Sequence, residues 1–294
     1  MKAAAFDYAR PATVAEACAW LAADEDARLI SGGQTLVPMM AMRLARPSLL
    51  IDISRLPELS GVAVDGDSLV IGAATRQSVA ERHPLVARHL PLLARALPFV
   101  GHTPTRNRGT LGGSVANADP AAEIPLVLAT LGGTVTVQTI AGVTEFTTDA
   151  FILGPMMTAT PDSGCVTSLR FPIWRESRVG TGFEEISARQ SDFAYVSAAA
   201  QVALDANGVC TRCAIGIGAA TPTPVRLDGA MQTLIGSRLT DEEIGAALSA
   251  EVEKLDIMTD AHATEAYRRR VALTLATRAL VTARNEAFAK GMRP

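Results

Sequence analysis

This chain of 294 residues contains few cysteines and few aromatic residues, and it has no large excess of either charge. Its 27 Lys and Arg against 30 Asp and Glu leave a net charge of −3, which predicts no surface for nucleic acid. No apolar run approaches the roughly 18 residues of a membrane-spanning helix. The opening MKAAAFDYARP, with Asp7 and Arg10, lacks the pattern of a signal peptide. We therefore expect a well-folded cytoplasmic protein.

Two of the four cysteines, Cys210 and Cys213, form a C-x-x-C in the stretch NGVCTRCAIGIGAA. A metal site built on this spacing usually needs further ligands, and the chain contains no second cysteine pair. In an extended strand, residues three apart point to opposite faces, so the two thiols are expected to diverge. The sequence therefore predicts ordinary strand cysteines, with no metal ligands and no iron–sulfur cluster in this chain.

The familiar phosphate-binding and hydrolytic motifs are absent as well. The chain has no G-x-x-x-x-G-K-[ST] of a P-loop, and no G-x-G-x-x-G between a strand and a helix. With only four histidines, it presents no Ser/His/Asp or Cys/His constellation. We therefore predict no catalytic residues, and expect that any chemistry belongs to a cofactor.

Two glycine-rich segments stand out instead. LISGGQTLVPMM, residues 29–40, places Gly32 and Gly33 between an apolar strand and a short helix. RNRGTLGGSVANADPAAE, residues 106–123, combines three glycines with short hydroxyl and amide side chains. Because glycine lets backbone N–H groups converge on an anion, each segment is a candidate anion-binding loop. Together they are expected to clasp opposite sides of one extended, phosphate-bearing ligand.

The hydrophobic patterns predict a chain of alternating strands and helices, followed by a separate α+β domain. A capping box at Thr13–Glu16 predicts a helix to about Ala22. In the first part, strands are predicted at 27–30, 49–53, 132–139 and 165–172, a hairpin at 62–73 around Asp65–Gly66, and helices at 36–44, 84–97 and from an Asp119 cap to about Ala129. After a linker at 172–181, strands are predicted at 182–189, 194–204 and 209–219, and helices at 226–236, 240–254 and 264–288, with Tyr267–Arg270 on a solvated helix face.

The segments SGGQTLVPMMAMRLARPSLLIDI and GHTPTRNRGTLGGSVANADPAAEIPLVLATLGGTV closely resemble the FAD-binding medium subunit of molybdenum hydroxylases. This is the family of xanthine dehydrogenase, aerobic carbon monoxide dehydrogenase and nicotine dehydrogenase, and the resemblance extends to the tail FEEISARQSDFAYVSAAAQV. It implies an α+β protein with the vanillyl-alcohol-oxidase-like (PCMH-type) FAD-binding fold. Residues 1–56 and 57–172 would be two α/β subdomains with FAD between them. Residues 178–294 would be a CO-dehydrogenase-flavoprotein-like α+β domain that covers the isoalloxazine.

The resemblance also implies which residues hold FAD. The first glycine segment would wrap the pyrophosphate. Glu123 corresponds to an acidic position near the ribose, and Val166 to a strand position whose backbone meets the adenine or the flavin. The implied FAD-binding residues are Leu29, Ile30, Ser31, Gly32, Gly33, Gln34, Thr35, Leu36, Thr110, Gly113, Ser114, Asn117, Asp119, Glu123 and Val166.

Several charged or titratable residues near these segments can each be interpreted in two ways. Glu184 stands where xanthine dehydrogenases carry a lysine near the flavin, so another group must stabilise the reduced flavin. Arg189 is a candidate for that role, or an ordinary surface arginine. His102 is a flavin contact or a loop-packing residue. Arg106 and Arg108 face phosphates or a partner, or are solvated loop charges.

For function, the resemblance implies an oxidoreductase: the electron-transfer subunit of a heteromeric molybdenum-dependent hydroxylase. FAD in this chain would take electrons from [2Fe-2S] clusters of a small subunit and pass them to an external acceptor. A large subunit with a molybdopterin-type molybdenum cofactor would oxidise the substrate, in an (LMS)2 dimer of heterotrimers. Two alternatives stay open: a stand-alone FAD-dependent dehydrogenase or oxidase of the same fold, and an assembly subunit without flavin. The sequence names neither the substrate nor the acceptor.

Overall fold

The computed structural model describes residues 2–291, and its N-terminal part is built on a small parallel sheet. The elements of this part are β1 (Asp7–Ala9), α1 (Val14–Ala23), β2 (Arg28–Ile30), α2 (Leu36–Ala41) and β3 (Leu49–Asp52). The strands lie in the order β1-β3-β2, and both pairs are parallel. The parallel sheet predicted from the alternation of strands and helices is therefore confirmed. Strand β1 was not predicted, because it is short and mostly exposed.

The first helix begins at the predicted cap, but only half of the capping box forms. The Thr13 side chain accepts a hydrogen bond of 3.1 Å from the Glu16 N–H. The Glu16 carboxylate accepts from the N–H of Ala12, at 2.6 Å, and not from that of Thr13. Helix α2 ends at Ala41, earlier than the predicted residue 44, and Arg43 has a φ of +60°.

The middle of the chain forms a five-stranded antiparallel sheet in the order β4-β5-β10-β6-β7. Its elements are β4 (Val62–Asp65), β5 (Ser68–Gly72), α3 (Gln77–Glu81), α4 (Pro84–His89), α5 (Pro91–Ala96), α6 (Thr103–Arg108), α7 (Leu111–Asn117), α8 (Glu123–Leu131), β6 (Thr134–Thr139), β7 (Gly142–Thr147), α9 (Thr148–Phe151), β8 (Ile152–Gly154), β9 (Met157–Thr158) and β10 (Cys165–Pro172), with 3-10 turns at Pro57–Leu59 and Leu97–Phe99. The predicted hairpin is confirmed, and Gly66 supplies the positive φ of +59° that its turn requires. Strand β10 has the predicted bounds.

Two predicted helices of this region have the wrong bounds. The helix expected over 84–97 is two helices, α4 and α5, separated at Leu90. Pro91 causes the break, because proline has no N–H to donate and disfavours the helical conformation in the residue before it. The helix expected from Asp119 begins instead at Glu123. The Asp119 carboxylate accepts from the N–H of Ala121, at 2.9 Å, so it stabilises a turn before the helix.

The C-terminal part is a four-stranded antiparallel sheet covered by helices. Its elements are β11 (Val179–Ser187), β12 (Ala194–Leu204), β13 (Cys210–Gly218), β14 (Val225–Arg226), α10 (Asp228–Leu234), α11 (Asp241–Val252) and α12 (Glu265–Gly291). The predicted strands and helices are confirmed, but the linker is shorter, since β11 begins at Val179. Helix α12 lies directly on β11, where a Cβ at Gly180 or Gly182 would collide with the helix backbone. The opposite face of the sheet packs on α5 and α8.

The prediction that the C-x-x-C thiols diverge was wrong. The pairing of β12 with β13 shifts between Ala203 and Leu204, so Thr211 is an extra residue that resets the alternation of side chains. Cys210 and Cys213 are therefore both buried in the core on the α10–α12 side of the sheet. A hydrogen bond with the Cys210 thiol, together with burial, raises the pKa of Cys213. The two free thiols are thus in contact.

The prediction that Tyr267–Arg270 is a solvated helix face is wrong for Arg268. Its side chain is only 3% exposed. The guanidinium donates to the carbonyls of Tyr195 and Ala219, at 2.5 and 2.6 Å, and to the Asp260 carboxylate at 2.5 Å. Helix α12 is therefore tied by a charged side chain to the ends of β12 and β13.

The overall class is α+β, as predicted. Within residues 2–291, no helix has both the length and the apolar character needed to cross a membrane. Buried side chains form one cluster around the middle sheet, one between the C-terminal sheet and its helices, and one beneath the N-terminal sheet. We keep the subdomains 1–56, 57–172 and 178–294 as a proposal, because the first cluster also includes Phe183 and Ala199 of the C-terminal sheet.

Candidate cofactor-binding cleft

A cleft of about 860 Å³ is lined by residues from all three parts of the chain. Each of the residues implied by the resemblance lies on its surface. They are Leu29, Ile30, Ser31, Gly32, Gly33, Gln34, Thr35 and Leu36 from the first segment, Thr110, Gly113, Ser114, Asn117, Asp119 and Glu123 from the second, and Val166 from β10. The fold thus gathers residues far apart in sequence onto one surface.

The two glycine segments are in direct contact. The Ser31 hydroxyl donates to the Thr110 hydroxyl across 3.2 Å. A Cβ added at Gly32 would lie 2.7 Å from the Arg108 carbonyl oxygen and 2.9 Å from the Gly109 Cα, both of them backbone atoms. Because only glycine fits at position 32, this residue sets how closely the segments approach each other.

The first segment presents free backbone donors to the cleft. Gly33 has a φ of +69°, a left-handed conformation that turns the chain between β2 and α2. Within residues 2–291, the N–H groups of Gly33, Gln34 and Thr35 have no hydrogen-bond acceptor in the protein. Consecutive free N–H groups in such a turn form an anion-binding nest. The expectation that this segment can wrap an anion therefore fits its geometry.

The second segment is helical, and the nest of N–H groups expected there does not form. The N–H of Gly112 donates to the Ala73 carbonyl at 2.9 Å. The N–H groups of Gly113 and Ser114 both donate to Thr110, which caps helix α7. Gly112 serves close packing, because a Cβ there would collide with Ala73. With the N–H of Gly109 bound to the Thr105 carbonyl, all three glycine N–H groups of this segment are used within the protein.

Few charges line the cleft, and most of them are acidic. They are Arg28, Asp119, Glu123 and Asp192. Burial raises the pKa of Glu123 to about 7. An anion bound here would be held chiefly by N–H and hydroxyl groups, since Arg28 is the one Lys or Arg of the described residues on the lining.

The arginines beside the second segment have other roles. Arg106 pairs with Glu81 at 3.0 Å and donates to the Gly101 carbonyl at 2.8 Å, so it fixes the loop before α6. Arg108 is exposed and does not line the cleft. His102 does line the cleft. Arg106 is therefore neither a solvated loop charge nor a residue of the cleft lining: its guanidinium is bound within the loop, an arrangement that was not among the predicted alternatives.

The C-terminal part contributes the loop between β11 and β12. Ser191, Asp192 and Phe193 line the cleft, and the Phe193 side chain is 74% exposed. Arg189 is 85% exposed on its side chain and pairs with Asp192 at 3.0 Å. Glu184 does not line the cleft. It lies two residues after Gly182 on β11, so its side chain is on the same face of the strand as Gly182, which is the face covered by α12. Neither Glu184 nor Arg189 therefore lies on the cleft surface.

Sequence reasoning missed about half of the lining. These residues are Arg28, Met39, Ile53, Ala73, Gln77, Val100, Gly101, Thr105, Gly109, Gly112, Ala116, Ala121, Ala122, Met156, Ser191, Asp192 and Phe193. Most are small or apolar side chains that carry no motif. Gly109 and Gly112 lay within the glycine-rich segment, which was the signal available for them.

Comparison with known proteins accounts for nearly the whole chain. Residues 4–174 match the model of the FAD binding domain in molybdopterin dehydrogenase. Residues 181–283 match the CO dehydrogenase flavoprotein C-terminal domain. The nicotine 6-hydroxylase medium subunit of Paenarthrobacter nicotinovorans is 37% identical over 96% of this chain and 99% of its own. The carbon monoxide dehydrogenase medium chain of Hydrogenophaga pseudoflava is 32% identical over 94% and 96%.

Solved structures agree with these sequence matches. Carbon monoxide dehydrogenase from Hydrogenophaga pseudoflava superposes with a TM-score of 0.93 at 31% identity, covering 97% of this chain and 99% of that one. Quinoline 2-oxidoreductase from Pseudomonas putida 86 gives a TM-score of 0.92 at 33% identity, over 98% and 99%. The similarity therefore extends over all three parts of the chain, as the predicted fold requires.

Proposed function

Because this chain belongs to the FAD-binding medium subunits of the molybdenum hydroxylase family, we propose that it carries electrons for a partner that oxidises the organic substrate. The chain is an oxidoreductase subunit, its cofactor is FAD, and its fold is the predicted FAD-binding fold. FAD, when bound, supplies the redox chemistry by taking up two electrons and releasing them. The observation that carries the proposal is the full-length match, combined with the single cleft on which all the predicted residues lie.

The cleft fits FAD in size and in the donors it offers. Its volume of about 860 Å³ is in the range of sites for large organic ligands. The free N–H groups of Gly33, Gln34 and Thr35 are suited to a pyrophosphate, which needs donors but no particular cation. The close approach of the two segments at Gly32 leaves no room for a side chain between them. We therefore assign the pyrophosphate to the first segment, and assign Thr110, Ser114 and Asn117 to the opposite wall.

The other residues of the cleft position and shield the cofactor. Val166 and Val100 place apolar side chains on the lining, and Phe193 extends from the C-terminal part. In this proposal the β11–β12 loop covers the flavin end of the cleft. Ala219 donates its N–H to the Pro120 carbonyl at 2.8 Å, which holds the C-terminal sheet against the segment that ends at Glu123.

The partners follow from the family role. We propose that a small subunit with [2Fe-2S] clusters delivers electrons, and that a large subunit with a molybdopterin-type molybdenum cofactor hydroxylates the substrate. An external acceptor removes the electrons from the flavin. We keep the (LMS)2 arrangement and a cytoplasmic location as parts of this proposal. The related nicotine 6-hydroxylase and carbon monoxide dehydrogenase chains are themselves named as medium subunits or chains, which supports the division into subunits.

Affinity purification of the tagged full chain from its native cells tests this function. We expect a complex that contains one larger and one smaller partner chain, with FAD, molybdenum and iron in the preparation. A chain that purifies alone with FAD, and oxidises an organic compound by itself, would instead establish the stand-alone dehydrogenase. A chain that assembles without flavin would establish the assembly subunit.

A further inference from the structure

Behind the wall of the cleft lies a group of polar side chains that the proposed electron transfer does not use. Glu185 on β11 is paired with Ser197 on β12, and Ser197 is paired with Gly218 on β13. Glu185 Oε2 and Ser197 Oγ are both shielded from solvent, and neither has a hydrogen-bond partner among the described residues. A buried polar atom without a hydrogen-bond partner lowers the stability of the fold, so the presence of two such atoms here needs a functional explanation.

Helix α8 joins this group to the cleft. The position of a Cβ on Gly218 would be 2.8 Å from Ser197 Oγ and 3.1 Å from the Leu126 side chain. Leu126 lies three residues after Glu123, so the two side chains share one face of α8. Glu123 lines the cleft, and the hydrogen bond from Ala219 to Pro120 fixes β13 against the start of this helix. Glu123 and Glu185 therefore lie on the facing sides of the helix and the sheet.

This geometry also places Glu123 at a particular end of the cleft. Glu123 borders the C-terminal sheet, and the cleft-lining loop Ser191–Phe193 belongs to that same sheet. Under the proposed function, on which this inference rests, that end is covered by the C-terminal domain and holds the flavin. We therefore assign Glu123 to the flavin end, and not to the ribose as the resemblance implied.

We propose that Glu123 and Glu185 form a proton-sharing pair, which takes up one proton when electrons enter the cleft and releases it when they leave. The electrons come from the reduced clusters of the proposed small subunit, and the proton comes from water in the cleft. The proton binds a carboxylate oxygen of Glu123 or Glu185, which offsets the negative charge that the electrons bring. Electrons and proton both depart when the external acceptor is reduced.

The charges around the pair agree with this role. Burial, and to a smaller extent the negative charge of Glu123, together raise the pKa of Glu185 to about 8. For Glu123, burial is again the largest cause; Asp119 also raises its pKa and Arg106 lowers it. From α5, Arg95 is bound to Thr181 and Glu286, and from α12, Arg268 is bound to Asp260. The pair thus holds a proton near neutral pH, where one added charge is enough to shift its occupancy.

The test compares the complex containing wild-type chain, Glu185→Gln and Glu184→Gln. Glu184 is a matched control, since it is the neighbouring carboxylate on the same strand but faces α12. The flavin midpoint potential is followed by spectroelectrochemistry between pH 6 and 9. We expect the wild type and Glu184→Gln to take up one proton more per two electrons than Glu185→Gln does. FAD content and subunit composition should be equal in all three.

A second readout needs no bound cofactor. Infrared spectroscopy of the flavin-free full chain should show a protonated carboxylic acid band at pH 7, which Glu185→Gln weakens and Glu184→Gln leaves unchanged. Equal proton uptake in all three complexes, or fully ionised carboxyls in the flavin-free wild type, would overturn the proton-sharing pair. If the chain purifies without partners but keeps the infrared band, the proposed function fails and the pair stands.

Discussion

Ser31 and Thr110, which are 79 positions apart, share a hydrogen bond of 3.2 Å between their side-chain hydroxyls. This bond joins the parallel N-terminal part of the chain to the antiparallel middle part. It lies on the cleft that also contains every residue implied by the family resemblance. In the proposed function the two glycine segments therefore act as one binding site.

Gly32→Ala should weaken FAD binding by about tenfold or more, which corresponds to about 1.4 kcal/mol. Its Cβ would lie 2.7 Å from the Arg108 carbonyl oxygen, so the two segments must move apart. Gly245→Ala in α11 is the matched control, because no atom outside its own helix turn lies within 4 Å of the new Cβ. The flavin-to-protein ratio and the FAD dissociation constant are the quantities to compare. Normal FAD affinity in Gly32→Ala would show that the segments do not clasp the cofactor together.

The free energy of unfolding should fall as pH rises from about 5 to about 8. Burial raises the pKa of Glu123 to about 7 and that of Glu185 to about 8, whereas an unfolded glutamate titrates near 4.5. The folded state therefore binds more protons, and it loses about 1.4 kcal/mol per pH unit for each such carboxyl between the two pKa values. Urea denaturation of the flavin-free chain measures this slope. Glu185→Gln should reduce it, and an unchanged slope in that variant would contradict the raised pKa.

The two core cysteines should carry no metal. We expect the isolated wild-type chain to contain less than one iron or zinc per molecule, because Cys210 and Cys213 are buried in a hydrophobic cluster. The double variant Cys210→Ser/Cys213→Ser should keep its FAD, but lose about 1–3 kcal/mol of stability for each hydroxyl left without a partner. Elemental analysis and thermal unfolding test both points. One equivalent of metal in the wild type, absent from the variant, would identify a metal site.

Arg268→Ala should destabilise the chain by about 1–3 kcal/mol, because it leaves the carbonyls of Tyr195 and Ala219 without their donor; Asp260 is partly exposed and keeps its backbone donors. Arg270→Ala, two residues further along the same helix, is exposed and should change stability by less than about 1 kcal/mol. Chemical denaturation of the two variants gives the comparison. Equal stabilities would mean that Arg268 is solvated in solution.

Local sequence signals predicted most elements but misplaced those that depend on distant contacts. The apolar patterns predicted strands β10, β12 and β13 to within one residue, because most of their side chains are buried, whereas β11 begins three residues before the predicted start. Asp119 looked like a helix cap, yet the chain bends once more before α8 begins at Glu123. The exposed strand β1 carries no hydrophobic period, since it is specified by pairing with β3.

The cysteines and Arg268 show why tertiary structure was needed for the rest. A bulge opposite Ala203 and Leu204 places both thiols on one face, and no residue type or spacing within VCTRCA predicts this bulge. Arg268 belongs to a run of arginines that reads as a solvated face, and only the carbonyls of Tyr195 and Ala219 make its burial favourable. In the cleft, the glycine segments were predictable from their composition. Ser191–Phe193 were not, because they belong to a loop of the C-terminal sheet that reaches the cleft only in the folded chain.

The most direct test of the electron-transfer function is anaerobic stopped-flow spectroscopy of flavin bleaching. The FAD-loaded isolated chain and the purified complex are mixed with the same organic substrate, which is chosen as the compound that the complex oxidises. We predict rapid bleaching in the complex, no bleaching in the isolated chain, and recovery of the flavin absorbance when an electron acceptor is added to the reduced complex. Rapid bleaching of the isolated chain by the substrate would contradict the electron-transfer role and establish a stand-alone dehydrogenase.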